Sequence, residues 1–208
     1  MLGMQPDIAF AVTKLLQHAV NPTEKHLNKV LYICCYLLRS TNYAMVLNGP
    51  SNGELMAYAD SDWASDSNTC KSTTGYMVKL AGAIFSWSSH AQKTIALSST
   101  EAEYMSLSDT CHQLQWVKSL MSELSIELSL IPLFGDNQGV IFLASNPVQE
   151  KCIKHIDLCY HFICDVVQNK QVELFFIEGA NNPADLFTKN LGCIKFLKFR
   201  EQLGLEFY

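Results

Sequence analysis

The chain has 208 residues, and 15 Lys and Arg stand against 20 Asp and Glu for a formal net charge of −5. That length suits one compact domain plus an appendage, and an apolar content of 49% is that of a globular chain, not a disordered one. No apolar run reaches the roughly 18 residues a membrane helix needs, and the first residues lack a secretory-signal layout. Neither a membrane partner nor secretion is expected.

The acidic balance is unusual for a protein that covers phosphates, because binding of that kind draws on Lys and Arg. Lys151, Lys154, Lys170, Lys189, Lys195, Lys198 and Arg200 nevertheless gather in the last third. Cations held by carboxylates would offset part of the charge. Eight cysteines are scattered, with Cys34 and Cys35 adjacent in a helical pattern and Cys111 on an apolar helix stripe. Free, buried thiols in a reducing compartment are expected rather than disulfides.

Residues 5–48 read as two helices. Ile8, Val12, Leu15, Leu16 and Val20 recur at helical spacing, Asn21-Pro22-Thr23 interrupts, and Leu27, Val30, Leu31, Cys34 and Leu38 form a second stripe. Asn48-Gly49-Pro50-Ser51-Asn52-Gly53 is a loop and the expected domain boundary. Strands follow at 55–60, 75–80 and 83–88, the last two joined by an Ala81-Gly82 hairpin. A long helix is expected over 98–124, a strand over 131–135, and helices over 138–144 and 155–168. A strand over 172–177 and a short helix from Pro183 complete the order. Antiparallel strands followed by βα units predict an α/β fold, a mixed sheet covered by helices.

Four acids stand at the edges of these elements: Asp60, Glu103, Asp136 and Asp185. In this order they suggest a two-metal phosphodiesterase site. Each also has a plainer role open to it. Asp60-Ser61-Asp62 fits solvated turn chemistry. Glu103 falls on the helix stripe of Tyr104, Leu107, Cys111, Leu114 and Met121, where a carboxylate is costly unless paired or metal-bound. Glu101 lies about 160° away, toward solvent, and completes a capping box with Ser98. Thr100 and Glu103 share that capping spacing. Asp136 follows a strand end, where α/β sheets bind ligands, but it or Asn137 also suits the cap of the next helix. Asp185 fits the first turn of a helix capped by Asn182 and begun by Pro183.

Several segments together resemble the ribonuclease H region of copia-type retrotransposon polyproteins. They are Tyr58-Ala59-Asp60-Ser61-Asp62-Trp63-Ala64, Ser72-Thr73-Thr74-Gly75-Tyr76, Ser86-Trp87-Ser88-Ser89 and Ala96 to Tyr104, then Asp136-Asn137-Gln138, Asn146-Pro147, Lys154-His155-Ile156-Asp157, Tyr160-His161-Phe162 and Ala184-Asp185-Leu186-Phe187-Thr188-Lys189. Gln5 to Val12 and Asn21-Pro22 resemble the end of the preceding reverse transcriptase. The resemblance implies a ribonuclease H-like, mixed five-stranded sheet flanked by helices and preceded by a short helical segment. It implies Asp60, Glu103, Asp136 and Asp185 as metal ligands and catalytic residues, two Mg²⁺ or Mn²⁺ ions, an RNA–DNA hybrid as substrate, and the parent reverse transcriptase as partner. Lys154, His155 and Lys189 are the expected phosphate contacts. Trp63, Trp87 and Tyr76 suit base stacking, though core packing is the favoured role.

On this basis residues 1–49 are read as a helical remnant of the polymerase, 50–192 as the ribonuclease H-like domain and 193–208 as a tail. The expected location is intracellular: cytoplasmic, within a virus-like particle if the parent element is intact, with the nucleus as a second location. Three departures stand out. Glu178-Gly179-Ala180-Asn181 carries no histidine where many ribonucleases H have a histidine loop. Cys152 and Cys159 stand where arginines are common. The polymerase's aspartate pair is absent. Cys152, His155 and Cys159 could share a helix face as zinc ligands, but no fourth ligand is fixed, and substituted basic positions explain them better. The rival functional reading is a folded, inactive retrotransposon-derived fragment that at most binds nucleic acid or a partner. An integrase-like DNA nuclease is a third.

Overall fold

The computed structural model describes residues 5–46, 54–145 and 157–207. The expected boundary loop at 48–53, Asn146-Pro147, and the residues Cys152, Lys154 and His155 lie outside them. A 3₁₀ turn at Pro6–Ile8 leads into α1 (Ala9–Leu16), and α2 runs over Glu24–Arg39. Thr23 caps α2, in a reciprocal box with His26. A short strand, β1 (Tyr43–Met45), follows. Then come β2 (Leu55–Asp62), β3 (Thr73–Leu80), β4 (Ala83–Ala91) and α3 (Ser99–Glu123). The chain continues through β5 (Ile131–Gly135), α4 (Gln138–Ser145), α5 (Asp157–Gln168) and β6 (Val172–Phe176). A 3₁₀ helix at Pro183–Phe187, α6 (Cys193–Gln202) and β7 (Leu205–Phe207) complete it.

Five strands form one mixed sheet in the order β4-β3-β2-β5-β6. The pairs β2–β3 and β3–β4 are antiparallel, and β2–β5 and β5–β6 are parallel. Ala81 and Gly82 both have positive φ, the primed hairpin turn whose twist matches the strands it joins.

Side-chain alternation along β2 divides the molecule into two cores. Leu55, Ala57 and Ala59 face α3 and pack with Tyr104, Leu107, Cys111, Leu114, Ile163 and Val166. The opposite face of the sheet is covered by Ala9 of α1, Leu186 and Phe187 of the 3₁₀ helix, and Phe199 and Leu203 around α6. Each fully buried side chain of this size contributes roughly 1.5–3 kcal/mol, so the second core is a substantial part of the fold. Residues 193–207, read from sequence as a tail, therefore form a helix that covers the sheet and a strand that pairs β1. Arg200 joins the chain's beginning and end, with one guanidinium nitrogen 3.0 Å from the Tyr43 hydroxyl and the group stacked 4.3 Å from that ring.

The N-terminal helices differ from each other. The α1 residues Thr13 and Lys14 donate to Ser89 O at 2.9 Å and Thr73 Oγ1 at 2.9 Å. By contrast, α2 buries none of its residues. Cys34 and Cys35 on it are exposed, as are Cys70 and Cys193, so among the described residues burial of the thiols holds only for Cys111 and Cys164. The described cysteines are free. No helix among the described residues is long and apolar enough to cross a membrane.

Gly75 on β3 lies beneath the 3₁₀ helix. A Cβ there would fall 2.6 Å from Thr188 Cγ2 and 2.7 Å from Phe187 Cβ. We expect Gly75→Ala to force these layers apart and cost about 1–3 kcal/mol, measured by urea denaturation. An unchanged midpoint would contradict this close packing.

Candidate metal centre

Register places two of the acids, Asp60 and Asp136, together. In the parallel pair β2–β5, Tyr58 stands opposite Phe134. Two residues further along each strand come Asp60 and Asp136, on the same face at the carboxyl ends of neighbouring strands, where spacing is about 4.8 Å. Glu103, in the first turns of α3, reaches the same end from the helix layer. One carboxylate oxygen from each of Asp60, Glu103 and Asp136 lies within 4.8 Å of the others. Asp60 is 0% and Glu103 7% exposed, while Asp136 is half-buried. This is not a solvated acidic surface patch.

Each acid is held in place by identifiable contacts. Glu103 Oε1 accepts from Ser61 Oγ at 2.8 Å and from Ser61 N at 3.2 Å. The backbone around Asp60 is pinned by Ser106 Oγ, donating to Asp60 O at 2.7 Å, and by Asn182 Nδ2, donating to Ala59 O at 2.9 Å. Asn137 Oδ1 accepts from Val140 N at 3.2 Å, so Asn137 caps α4 and Asp136 is not needed there. Asp136 lies close to the backbone after β6: a Cβ on Gly179 would be 2.9 Å from its Oδ2.

Glu101 departs from expectation. It is buried, 8% exposed, because its carboxylate folds back to accept the Leu97 N–H at 2.7 Å. Ser98 Oγ accepts from Glu101 N at 3.1 Å. Ser98 caps the helix as expected, but the reciprocal half of the box is not made, because the Glu101 carboxylate bonds Leu97 N rather than Ser98 N, and Glu101 is not exposed. Glu103 makes no such cap, since its bonds go to Ser61.

Asp185 is 2% exposed on the 3₁₀ helix capped by Asn182, whose Oδ1 accepts from Ala184 N at 3.1 Å. It is absent from the three-acid group and joins Asp60 through a lysine. Lys189 Nζ lies 2.7 Å from Asp185 Oδ1 and 3.1 Å from Asp60 Oδ1. Lys195 Nζ bonds the other Asp185 oxygen and also donates to Gly179 O at 3.1 Å. Thr188 Oγ1 donates to Asp60 Oδ2. Sequence reasoning gave Thr188, Lys195 and Ser61 no role. Only Lys189 had a readable signal, its i,i+4 spacing from Asp185. Of the aromatic residues, Trp87 and Tyr76 are partly buried against the cores. Trp63 is half-exposed and donates Nε1 to Ala96 O at 3.1 Å.

The electrostatics follow from burial. Asp60 is pushed up to about 7 by desolvation, with Asp185 and Asp136 adding repulsion while Lys189 and Thr188 oppose it. Glu103 is raised well above the carboxylate range by burial, then by Asp60 and Asp136. Asp136 is raised by burial and by Asp185, against the pull of Lys189 and Lys195. Burial lowers Lys189, but Asp60 and Asp185 outweigh it and hold the ammonium charged. Such acids are short of positive charge. The oxygen-only donor set, without His or Cys, fits a hard divalent cation.

Comparison with known proteins places the sequence in a family. No family profile matches the chain. The chain is 39% identical over 202 residues to the retrovirus-related Pol polyprotein from transposon RE2 of Arabidopsis thaliana, covering 97% of this chain and 14% of that protein. It is 35% identical over 206 residues to the Pol polyprotein from transposon TNT 1-94 of Nicotiana tabacum, covering 99% and 15%. Among solved structures, LC11-RNase H1 in complex with RNA/DNA hybrid aligns with 15% identity and a TM-score of 0.49 over 65% of this chain and 94% of that one.

The chain belongs to the Pol polyproteins of copia-type retrotransposons. It spans about a seventh of the length of the relatives it matches. Its five-stranded mixed sheet flanked by helices is the arrangement that the sequence resemblance implies.

A pH dependence follows from the raised acids. Their folded-state pKa values exceed the unfolded ones, so their contribution to stability is full below the ordinary carboxylate range and is lost as pH rises toward 7. In chelator, the melting temperature should fall between pH 4.5 and 7.5, and Asp60→Asn should flatten that slope. Identical slopes in the two proteins would rule out this assignment.

Proposed function

We propose that this chain is a ribonuclease H-type endonuclease that hydrolyses the RNA strand of RNA–DNA hybrids with two divalent ions, Mg²⁺ or Mn²⁺. The observation that carries the reading is the convergence of buried Asp60, Glu103 and Asp136 at adjoining strand ends, in a chain of the copia-type Pol family. Asp185, tied to Asp60 through Lys189, is the fourth acid of the proposal. Bound among these carboxylates, the ions would supply Lewis-acid charge at the phosphodiester and lower the pKa of the attacking water.

The protein's own part is to hold the acids ready. Asp60 lies between the three-acid group and Asp185, so it is placed to serve both ions. Ser61 fixes Glu103, and Thr188 fixes the Asp60 oxygen turned away from Lys189. Cleavage in this manner leaves a 5′-phosphate and a 3′-hydroxyl. The RNA strand would be told from DNA by its 2′-hydroxyls and by groove shape. Lys189 at the site, with Lys154 and His155, is assigned to the substrate's phosphates. The partner is the reverse transcriptase portion of the parent polyprotein, whose product is the hybrid, and this sets the reaction inside the cell.

One observation favours the inactive-fragment reading: Lys189 and Lys195 already neutralise Asp185 and part of Asp60. A labelled RNA–DNA hybrid separates the two readings. With Mg²⁺ the wild-type chain should cut the RNA strand, and binding without cutting would identify the fragment. Asp60→Asn and Asp136→Asn should lower the rate at least about a thousandfold while preserving the fold. Glu103→Gln should do the same. Glu101→Gln should cost less than about tenfold, because its amide oxygen still accepts the Leu97 N–H. Equal losses from the two glutamine variants would refute the assignment of Glu103.

A further inference from the structure

The two halves of the acidic site are not equivalent. Around Asp60 and Asp185, all four carboxylate oxygens are bonded by donors of this chain. Thr188 and Lys189 serve Asp60, and Lys189 and Lys195 serve Asp185. A single ammonium group, Lys189 Nζ, bridges the pair at 3.1 and 2.7 Å. On the other side of Asp60, no described lysine or arginine forms an ion pair with Glu103 or Asp136. The site therefore has one half bonded by the protein's own ammonium groups and one half whose Glu103 and Asp136 have no ion-paired ammonium among the described residues.

We propose that Lys189 is a displaceable internal cation that reserves the Asp60–Asp185 position, so that divalent ions load in a fixed order. The inference rests on the metal-dependent reading above. The first ion takes the group formed by Asp60, Glu103 and Asp136. The second enters between Asp60 and Asp185 only as the Lys189 ammonium leaves.

Charge balance requires the exchange. Two divalent ions bring four positive charges to four carboxylates, which leaves the ammoniums of Lys189 and Lys195 both surplus, and of the two it is Lys189 that stands between Asp60 and Asp185, where the second ion would enter. The Lys189 side chain is able to leave. It is 35% exposed, while the Asp60 and Asp185 side chains it bridges are 0% and 3% exposed. It carries its charge on a flexible four-carbon stem. Lys195 is bound to the Asp185 oxygen that Lys189 does not touch, so it can stay. Once released, the Lys189 ammonium lies at the rim of the same cleft, with a substrate phosphate as its available counter-charge. The second ion and the nucleic acid then favour each other's binding.

The test is calorimetric titration of Mn²⁺ into the metal-free full chain, without nucleic acid. Wild type should bind one ion tightly and a second at least about tenfold more weakly. Lys189→Met should tighten the second ion about tenfold, while Lys189→Arg, which keeps the charge, should behave like wild type. Asp136→Asn should lose the tight ion. If Lys189→Met and wild type give the same two-ion isotherm while Asp136→Asn still loses the tight ion, the Lys189 assignment fails and the metal centre stands. If no variant binds Mn²⁺, both fail. A measurement on wild type alone guards against a misfolded variant. Acylation of Lys189 by acetic anhydride, read by peptide mass spectrometry, should rise over the Mn²⁺ range of the second ion. Flat labelling would overturn the proposal.

Discussion

Two carboxylates at the ends of adjacent parallel strands are forced together by register alone. Once Tyr58 pairs Phe134, Asp60 and Asp136 become neighbours on one face, with no side-chain freedom large enough to separate them. Burial then removes the water that would screen them, which is why Asp60, Glu103 and Asp136 all hold their protons more tightly than free carboxylates. Much of the surrounding structure can be understood as compensation for this one crowded arrangement.

That compensation comes from the second core, on the sheet face opposite α3. The 3₁₀ helix and the residues just after it supply Asp185, Thr188 and Lys189, and Gly75, whose missing side chain lets Phe187 and Thr188 approach, allows the layers to meet. Lys195 arrives from α6, the same helix that seals this core with Phe199. The apolar packing that stabilises the C-terminal segment thus also delivers the cations that make the acidic end tolerable. A buried carboxylate stripped of its paired ammonium costs several kcal/mol, so packing and electrostatics here fail or hold together.

Much of this was legible in the sequence, for identifiable reasons. The helical stripe of Tyr104, Leu107 and Cys111 pointed Glu103 inward, and the structure finds it bonded to Ser61. The edges of β5 and the hairpin at Ala81-Gly82 were marked by composition and turn residues. Other features left no periodic signature. The strands β1 and β7 are three residues each and are defined by pairing one another across nearly the whole chain. The inward turn of Glu101 depends on the backbone N–H of Leu97, which lies just before the helix and which no periodicity marks. The bridging of Asp60 by Lys189 spans 129 positions, and the pattern of neither segment encodes it. The phosphate contacts at Lys154 and His155 lie outside the described residues and remain a proposal.

The N-terminal helices show which parts of the chain the site depends on. Through Thr13 and Lys14, α1 is tied to the strands that carry the hairpin, and Ala9 enters the second core. Its neighbour α2 exposes Leu27, Val30, Leu31 and Leu38 and relies on its capping box, on contact with α1, and on Tyr36, which bonds Asp7 and Arg200. None of the groups that hold the four acids comes from α2. The convergence of the acids is set by the five-stranded sheet, α3, the 3₁₀ helix and α6, and a change confined to the apolar face of α2 has no direct route to it.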